Sequence, residues 1–382
     1  MSAPTLIVLV AGETSGDQLG GALMRELRAL VPNVQFAGVG GPHMRDQGLD
    51  CWWDSEELAV MGLAEVLSHL PRLLKLRRAL REKILSHAPA LFVGVDSPDF
   101  NLGLEITLKR REIPTVHYVS PTVWAWRQKR VHKIARATNL VMCLFPFERD
   151  FFTGHGVEAR YTGHPMADEI EMHTDRQTAR RQLGLDPDRP CIALLPGSRR
   201  GEVGRLADHL LGAADILAGN NPQMQFVAPM AGDGVHQLFE TASVRYPGVH
   251  CTLLRQQARQ AIAASDLVLC ASGTATLETM LIKRPMVVVY RFSHVTYVIG
   301  KSLRLMKSRF FSLPNILAGD ALVPELEQYQ VNAERIASEA QAWLADPART
   351  AAVMKEFESL HRRLRKDASK SAAQAVAGLL DH

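Results

Sequence analysis

The stretch Cys191-Ile192-Ala193-Leu194-Leu195-Pro196-Gly197-Ser198-Arg199 decides the fold class, because an apolar run ends in a turn of small residues followed by an arginine. Such an ending is typical of a buried parallel strand that leads directly into a helix. A second turn, Ser272-Gly273-Thr274-Ala275-Thr276-Leu277-Glu278, follows the apolar run 267–271 in the same half of the chain. The two turns predict an α/β domain built on a parallel sheet.

Both turns carry groups that suit a nucleotide-diphosphate-sugar. The first offers the backbone of Gly197 and Ser198 and the guanidinium of Arg199 to a phosphate. In the second, Glu278 lies one helical turn in, where a carboxylate suits ribose hydroxyls. Free amides at its helix start come from Ser272, Gly273, Thr274 and Ala275. Small residues after a strand are common in ordinary turns, so neither turn alone is specific. The prediction rests on the occurrence of both turns in the same half of the chain. No lysine follows the glycine as a P-loop requires, and no Gly-x-Ser-x-Gly elbow is present.

Length and composition predict a two-domain globular protein. The chain has 382 residues, of which 47% are hydrophobic and 22% charged. A formal net charge of +4 does not indicate nucleic-acid binding. No apolar run approaches the ~18 residues of a membrane span, and the first residues lead straight into a strand pattern, so a cytoplasmic protein is expected. The five cysteines are scattered, which predicts reduced thiols and no structural metal.

Strand-like runs alternate with helix-like segments in both halves of the chain, which predicts two doubly wound parallel sheets. The runs are 5–11, 91–95, 115–119, 140–144, 191–195, 225–228, 267–271 and 286–290. The expected division is a first domain at 1–168, a polar linker at 169–190, a second domain at 191–345 and C-terminal helices at 346–382. The Asp186-Pro187-Asp188 segment lies in the linker without a preceding strand, so no metal role is predicted for it.

Three loops after first-half strands carry candidate chemistry. Gly12 to Asp17 contains Glu13, Ser15 and Asp17, and Asp96 and Asp99 follow the run 91–95. A carboxylate there could take a proton from an attacking hydroxyl, although capped turns are the ordinary alternative in both loops. Trp124 follows the third run, where an aromatic ring suits a sugar or acyl chain, or simply the core.

Residues 60–84 combine many apolar residues with six cationic and two acidic side chains. This pattern suits a helix at the surface of an anionic membrane, and it equally suits a surface helix packed on the core.

These motifs resemble the lipid-A-disaccharide synthase family from about Thr5 to past Leu380. The residues that carry the resemblance are Gly12 to Asp17, Gly40 to Met44, Asp96 to Asn101, Ser120 to Arg127, Leu195 to Arg199, Ser272 to Glu278, and Leu313-Pro314-Asn315.

The resemblance implies an inverting glycosyltransferase of GT-B architecture, with two Rossmann-like domains and an interdomain cleft. It implies transfer from UDP-2,3-diacylglucosamine, held mainly by the C-terminal domain, to 2,3-diacylglucosamine 1-phosphate (lipid X), giving the β-1,6 disaccharide 1-phosphate and UDP. It also implies three catalytic residues: Asp96 as general base, Arg199 and Asn315. No cofactor and no metal are implied, since the arginine and helix amides can stabilise the leaving diphosphate.

The resemblance favours the membrane interpretation of residues 60–84, since both substrates carry acyl chains. The residues expected to face the lipid are Val66, Leu67, Leu70, Leu73 and Leu74. The implied protein is cytoplasmic and peripheral on anionic lipids at the inner face of a Gram-negative inner membrane, and a homodimer is plausible.

Two alternatives stay open from the sequence. A UDP-N-acetylglucosamine 2-epimerase would share the fold and the UDP site but not the need for an apolar basic surface. A non-catalytic nucleotide-sugar or lipid-binding scaffold would not need Asp96. Spacing alone also leaves open whether Asp96 or Asp99 is the base, with the resemblance favouring Asp96.

Overall fold

Two parallel β-sheets, each covered by helices, form the part of the chain that the computed structural model describes. That part is residues 4–58, 63–126, 128–291 and 309–380, without the side chains of 63–69, 125 and 126. The chain divides into unit 1, Met1–Asp168 with Leu364–His382, and unit 2, Glu169–Arg363. The predicted α/β class with two doubly wound parallel sheets is therefore confirmed.

The described sheet of unit 1 has the strand order β3-β2-β1-β4-β5-β6-β7. Its strands are β1 (Thr5–Ala11), β2 (Val34–Gly40), β3 (Asp50–Asp54), β4 (Leu91–Val95), β5 (Thr115–Tyr118), β6 (Leu140–Cys143) and β7 (Ala159–Tyr161). The chain runs outward from β1 to β3 and then resumes at β4 on the other side of β1. Open α/β sheets bind ligands at such a switch point, outside the carboxyl ends of the strands.

Helices cover both faces of this sheet. They are α1 (Thr14–Leu30), α2 (Pro42–Asp46), α3 (Leu63–His87), α4 (Pro98–Lys109), α5 (Val123–Trp126), α6 (Val131–Ala137), α7 (Pro146–Thr153) and α8 (Pro165–Glu169). Ile7 of β1 belongs to a core shared with Leu23 of α1, while Val8 belongs to a core shared with Leu80 of α3 and Leu104 of α4. Because β1 is buried on both faces, its sequence is a continuous apolar run rather than an alternating one.

Unit 2 repeats this plan with the strand order β10-β9-β8-β11-β12-β13 among the described residues. Its strands are β8 (Cys191–Leu195), β9 (Gln225–Met230), β10 (Cys251–Arg255), β11 (Leu267–Ala271), β12 (Met286–Tyr290) and β13 (Glu325–Glu327). Its helices are α9 (Arg176–Gln182), α10 (Arg200–Asn220), α11 (Asp233–Ser243), α12 (Ala258–Ala264), α13 (Thr274–Leu281), α14 (Leu313–Ala318), α15 (Ala333–Ala345) and α16 (Pro347–Leu364). The switch point lies between β8 and β11, which are the two strands that lead into the glycine turns.

The segment 169–190, expected to be a linker, belongs to unit 2 in the structure. It contains α9, whose Arg180 is buried and donates hydrogen bonds to the carbonyl of Ala264 (2.8 Å) and to the carboxylate of Asp266 (2.5 Å). Asp186 accepts a hydrogen bond from the amide of Asp188 (3.0 Å), as in an ordinary turn. The expected linker is thus anchored on unit 2 by a buried arginine that the polar composition did not reveal.

The C-terminal helices, expected as one segment at 346–382, are divided between the units. The helix α16 ends at Leu364, and α17 (Ala368–Ala377) packs in the core of unit 1 beside α1. The carboxylate of Asp168 causes the break, because it accepts hydrogen bonds from the amides of Lys366 (3.0 Å), Asp367 (3.1 Å) and Ala368 (2.6 Å). These are amides at the start of α17 that the helix itself cannot satisfy.

Candidate active site

In unit 1 the turns after β1 and β4 lie side by side at the carboxyl edge of the sheet. The two strands are paired, with Ala11 opposite Val95, so the residues that follow them are neighbours. Glu13 and Ser15 are exposed in the first turn, and Asp96 is half-buried in the second. The structure thus brings together three of the side chains that the sequence predicted for the acceptor side.

Asp17, also predicted for the acceptor side, is buried and serves a different purpose. Its side chain belongs to a residue that is 1% exposed, and it accepts hydrogen bonds from the amides of Gly41 (2.7 Å), His43 (2.9 Å) and Met44 (3.0 Å). The carboxylate therefore caps α2 and ties the turn after β2 to α1. The prediction that Asp17 faces a substrate is corrected to a structural role.

Asp96 is held by an unusual backbone. Asp96 has φ +53° and Ser97 has φ +45°, so two consecutive non-glycine residues adopt the left-handed conformation. Each such residue costs about 1–3 kcal/mol, and surrounding contacts must hold it in place. Here the amide of Asp96 donates to the carbonyl of Tyr118 (2.8 Å), and its carboxylate Oδ1 accepts from the amide of Ser97 (2.8 Å). Its Oδ2 accepts no hydrogen bond from the described residues.

Asn101 supports this turn from beneath, a role that spacing could not predict. It is fully buried, and its side-chain Nδ2 donates to the carbonyls of Asp96 (2.9 Å) and Val10 (3.2 Å). One amide group thereby joins the ends of β1 and β4. Next to it Glu105 and His117 form a buried hydrogen bond of 2.7 Å, and burial raises the pKa of the Glu105 carboxyl.

Asp99 lies in the first turn of α4 and differs from Asp96 in its surroundings. Its side chain is 84% exposed and forms an ion pair with Arg130. The two carboxylates that the sequence could not distinguish are therefore distinct in the structure, since one lies in a strained turn and the other is paired with an arginine.

Trp124 belongs to a row of aromatic rings at the carboxyl ends of β5 to β7. Its ring centroid is 4.8 Å from that of Phe147, which stacks on Phe145 at 5.6 Å, and Phe145 lies 5.2 Å from His164. The indole nitrogen of Trp124 donates to the carboxyl of Glu148 (3.4 Å). All four rings are partly exposed, so Trp124 combines core packing with a face open to solvent.

Two titratable groups in this row have shifted pKa values. Burial raises the pKa of Glu148 to about 7, against the effect of hydrogen bonds that include one from the amide of Phe145. Burial lowers the pKa of His164 to about 4, so its ring is neutral near pH 7. The ring's Nδ1 accepts a hydrogen bond from the amide of Met166 (3.2 Å), which places the proton on Nε2.

In unit 2 the first glycine turn places Arg199 at the start of α10. Gly197 has φ +111°, and a Cβ there would lie 2.7 Å from Oε2 of Glu202, so glycine is required. The carboxylate of Glu202 accepts a hydrogen bond from the amide of Arg199 (3.4 Å). The guanidinium of Arg199 lies 3.6 Å from the same carboxylate. Ser198 and Arg199 are exposed, and the side chain of Arg199 is 84% exposed to solvent.

The second glycine turn is arranged around the start of α13. Gly273 has φ +139°, a conformation that L side chains rarely adopt, and Thr274 beside it is exposed. Ser272 uses its hydroxyl to donate to the carbonyl of Phe311 (2.9 Å). Ala275 is partly buried one position after Thr274, and the amides at the helix start face the carboxyl edge of the sheet.

Glu278, predicted to bind ribose, is held by an arginine that the sequence did not single out. Its Oε1 lies 3.2 Å from Nε of Arg259, whose other nitrogen lies 3.0 Å from Glu169. The carboxylate is 18% exposed and therefore remains reachable from solvent. Arg259 fixes its orientation and neutralises its charge.

Asn315, predicted to be catalytic, is buried and already fully engaged. It is 1% exposed, and its Nδ2 donates to the carbonyl of Val323 (2.9 Å) and to Glu325 (2.9 Å), while its Oδ1 accepts from the amide of Val323 (3.0 Å). Glu325 also accepts from the amides of Phe311 (3.0 Å) and Ser312 (2.9 Å). These bonds hold the segment whose Phe311 carbonyl accepts from Ser272, which favours a positioning role, and the catalytic role implied for Asn315 stays a prediction.

The basic amphipathic segment forms α3, which Leu76, Leu80 and Ile84 anchor on the core. Leu70 and Leu74 are 42% and 45% exposed, and Leu73 is partly buried. The side chains of Val66 and Leu67 lie outside the described residues. Of the helices among the described residues, none is long and apolar enough to cross a membrane.

Two parallel Rossmann-like sheets, each with its turns at a switch point, define the GT-B class of glycosyltransferase folds. A UDP-glucosyltransferase from Polygonum tinctorium has the same fold, with a TM-score of 0.62 and 13% identity over 100% of both chains. A UDP-GlcNAc 2-epimerase from Neisseria meningitidis bound to UDP-GlcNAc gives a TM-score of 0.63 and 11% identity, covering 99% of this chain and 100% of that one. At these identities the likeness shows the fold alone.

The particular family follows from the sequence comparisons. A family model described as lipid-A-disaccharide synthetase matches residues 7–377. A lipid-A-disaccharide synthase from Xanthomonas oryzae pv. oryzae (strain MAFF 311018) is 51% identical over 379 residues, which are 99% of this chain and 88% of that protein. The chain belongs to the lipid-A-disaccharide synthase family and is a glycosyltransferase of lipid A biosynthesis, which confirms the family resemblance and displaces the epimerase and scaffold alternatives.

Proposed function

We propose that the enzyme transfers 2,3-diacylglucosamine from UDP-2,3-diacylglucosamine to the 6-hydroxyl of 2,3-diacylglucosamine 1-phosphate, with inversion at the anomeric carbon. The new bond joins the acceptor oxygen to that carbon, and the bond to the diphosphate breaks. The products are the β-1,6-linked disaccharide 1-phosphate and UDP. The reaction needs one base for the hydroxyl proton and positive groups for the leaving diphosphate.

The turns of unit 2 supply the donor side in this proposal. Arg199 is exposed beside the amides of Gly197 and Ser198, so a diphosphate there meets a guanidinium and a helix start together. Glu278, oriented by Arg259, is suited to the ribose hydroxyls. These groups carry the leaving charge without a metal ion.

Asp96 is the general base in this proposal, and the observation that carries the assignment is its position after β4, beside the turn that follows β1, with Oδ2 unbonded among the described residues. Left-handed backbone at two non-glycine residues is retained where the surroundings enforce it, often at functional sites. The turn lies at the switch point of unit 1, and Oδ2 of Asp96 accepts nothing from the described residues. The carboxylate of Asp99 is instead 84% exposed and engaged in an ion pair with Arg130.

In this proposal the surface of α3 binds the membrane that contains the acylated substrates. Leu70 and Leu74 would enter the acyl boundary of an anionic bilayer, with exposed Arg72, Lys75 and Arg78 on the headgroups. The enzyme is then peripheral on the cytoplasmic face of the inner membrane. A homodimer stays a prediction, which sedimentation velocity tests.

The test measures UDP release in mixed micelles, with and without the acceptor, for Asp96→Asn and the matched control Asp99→Asn. Loss of a general base lowers the rate by about 10²–10⁴-fold, so acceptor-dependent release should collapse in Asp96→Asn. UDP binding by calorimetry should be unchanged, because unit 2 is untouched. Asp99→Asn should stay within a few-fold of wild type, and the opposite ranking of the two variants would overturn the assignment.

A further inference from the structure

A cavity of about 590 Å³ lies at the amino-terminal edge of the sheet in unit 2. Three of its lining residues, Pro190, Asp266 and Pro285, directly precede β8, β11 and β12. The donor turns follow β8 and β11, so this cavity lies at the opposite edge of the sheet from them. The proposed transfer reaction makes no use of it.

The cavity is rich in arginine. Arg176, Arg180 and Arg284 line it together with two carboxylates, Asp188 and Asp266. Asp266 is engaged by the protein, since it forms ion pairs with Arg176 and Arg180 and accepts from the amide of Cys191 (2.8 Å). Asp188 is exposed, so the inner part of the cavity has more cationic than anionic groups.

Arg284 forms no ion pair with a carboxylate of the described residues. It is 5% exposed, and its terminal nitrogens donate to backbone carbonyls that include Ala263 (2.7 Å) and Ile282 (3.2 Å). Burial lowers the pKa of its guanidinium to about 10; the charges of Arg176 and Arg180 lower this pKa further, while those of Asp266 and Asp175 raise it. An anion in the cavity would relieve both effects.

Two residues that line the cavity carry a buried donor without an acceptor among the described residues. Neither Nε1 of Trp343, a residue that is 2% exposed, nor Nε of Arg284 has a hydrogen-bond partner among the described residues. Buried donors are almost always satisfied by protein groups or by ordered water, so two exceptions on residues that line one cavity are consistent with an acceptor bound there. The first turn of α16, which includes Pro347 and Thr350, also lines the cavity, and the carboxylate of Asp346 caps this turn by accepting a hydrogen bond from the amide of Arg349 (2.9 Å).

The remaining wall is apolar and the volume exceeds that of a bare anion. It is lined by the side chains of Met224, Leu344, Ala351 and Met354. Ligand cavities of about 300–1,000 Å³ with an apolar wall and few convergent polar groups hold small organic molecules. We propose that this cavity binds a small molecule with an oxyanion head, phosphate or carboxylate, attached to an apolar body, at a site separate from that of the sugar donor.

The test follows the indole N–H signal of Trp343 by nitrogen-15 NMR in the full-length protein labelled at its 5 tryptophans, with the signal assigned through Trp343→Phe. The probes are phenyl phosphate and benzoate, with benzyl alcohol and inorganic phosphate as matched controls that lack the head or the body. Phenyl phosphate, benzoate or both should shift the Trp343 signal until it saturates. Benzyl alcohol and inorganic phosphate should each bind at least about tenfold more weakly. Which aromatic anion binds more tightly identifies the head group.

Calorimetry with Trp343→Phe, which deletes one donor and keeps an aromatic ring, should show binding weakened about tenfold. An intact amide spectrum of this variant shows that the fold is kept. Arg199→Gln, at the donor turn, should leave the binding unchanged. No shift of the Trp343 signal up to about 10 mM probe, equal shifts with benzyl alcohol, or loss of binding only in Arg199→Gln would each overturn the proposal.

Discussion

Replacing Asn315 by alanine should destabilise unit 2, because the side chain forms hydrogen bonds with three buried or partly buried groups. Its amide satisfies both the N–H and the C=O of Val323 and donates to Glu325. The residue is 1% exposed, so water does not reach the groups that the substitution leaves unpaired.

The magnitude follows from counting those groups. Each buried group left without a partner costs about 1–3 kcal/mol, so loss of the two backbone bonds alone should lower the free energy of unfolding by about 3 kcal/mol. In a unit of this size that corresponds to a fall of roughly 6–12 °C in the transition temperature of unit 2. The donor KM should rise as well, because α14 reaches the donor turn through the bond from the amide of Leu313 to Thr276 (3.4 Å).

Scanning calorimetry and steady-state kinetics on Asn315→Ala decide between positioning and contact. Asn332→Ala is the matched control, because Asn332 makes a single capping bond to the amide of Arg335 (2.8 Å) and its loss should cost about 1 kcal/mol. The reasoning is refuted if Asn315→Ala melts like wild type while kcat falls by orders of magnitude, since that pattern requires direct contact with reacting groups.

Gly197→Ala should weaken UDP binding, measured by calorimetry, at least about tenfold, because φ +111° is strained for alanine and its Cβ would displace Glu202. Gly204→Ala should leave UDP binding unchanged, because a Cβ at this position of α10 meets no atom within 4 Å. Glu148 has a folded pKa of about 7 against an ordinary 4.5, so the folded state holds the extra proton and the free energy of unfolding should fall by up to about 3 kcal/mol as the pH rises through that window. Urea titrations at both ends of the window should show that Glu148→Gln removes this fall, and an unchanged pH dependence would contradict the assignment. Leu70→Glu with Leu74→Glu should lower binding to anionic vesicles by about tenfold or more, while Val244→Glu, at an apolar residue of unit 2 that is 78% exposed, should leave it unchanged.

The central strands could be predicted from the sequence because they are buried on both faces. β1, β4, β8, β11 and β12 were all expected at the residues where the structure has them, since a doubly covered parallel strand reads as a continuous apolar run. β2 interrupts that pattern with Gln35 and two glycines, and β3, β10 and β13 are short or partly exposed. Those strands are set by pairing with their neighbours, which no local pattern records.

The C-terminal helices expected at 346–382 are separated at Asp367, which has φ +50°. The break depends on Asp168, a residue distant in sequence whose carboxylate caps α17. Hydrophobic periodicity does not detect such a partner, because the apolar residues on either side keep helical spacing.

Candidate site residues could be proposed from the sequence where they directly follow a strand, and not where their placement depends on contacts between elements. The turns at Gly197 and Gly273 and the carboxylate of Asp96 lie directly after strands, so residue type and order revealed them. Asp17 and Asn315 have suitable side chains, but each forms hydrogen bonds with backbone groups elsewhere in the chain. Only the three-dimensional structure shows these partners. No sequence pattern indicated Arg259, Glu325 or Glu148. Each contacts a site residue that is distant in the sequence: Glu278, Asn315 and Trp124, respectively.

The most direct test of the central claim is the structure of the product formed from UDP-2,3-diacylglucosamine and 2,3-diacylglucosamine 1-phosphate, determined by proton and carbon NMR. The account predicts one disaccharide 1-phosphate per UDP released, with a β anomeric linkage to carbon 6 of the acceptor. An α linkage, a different linkage position, or a donor sugar epimerised or hydrolysed without the acceptor would contradict it.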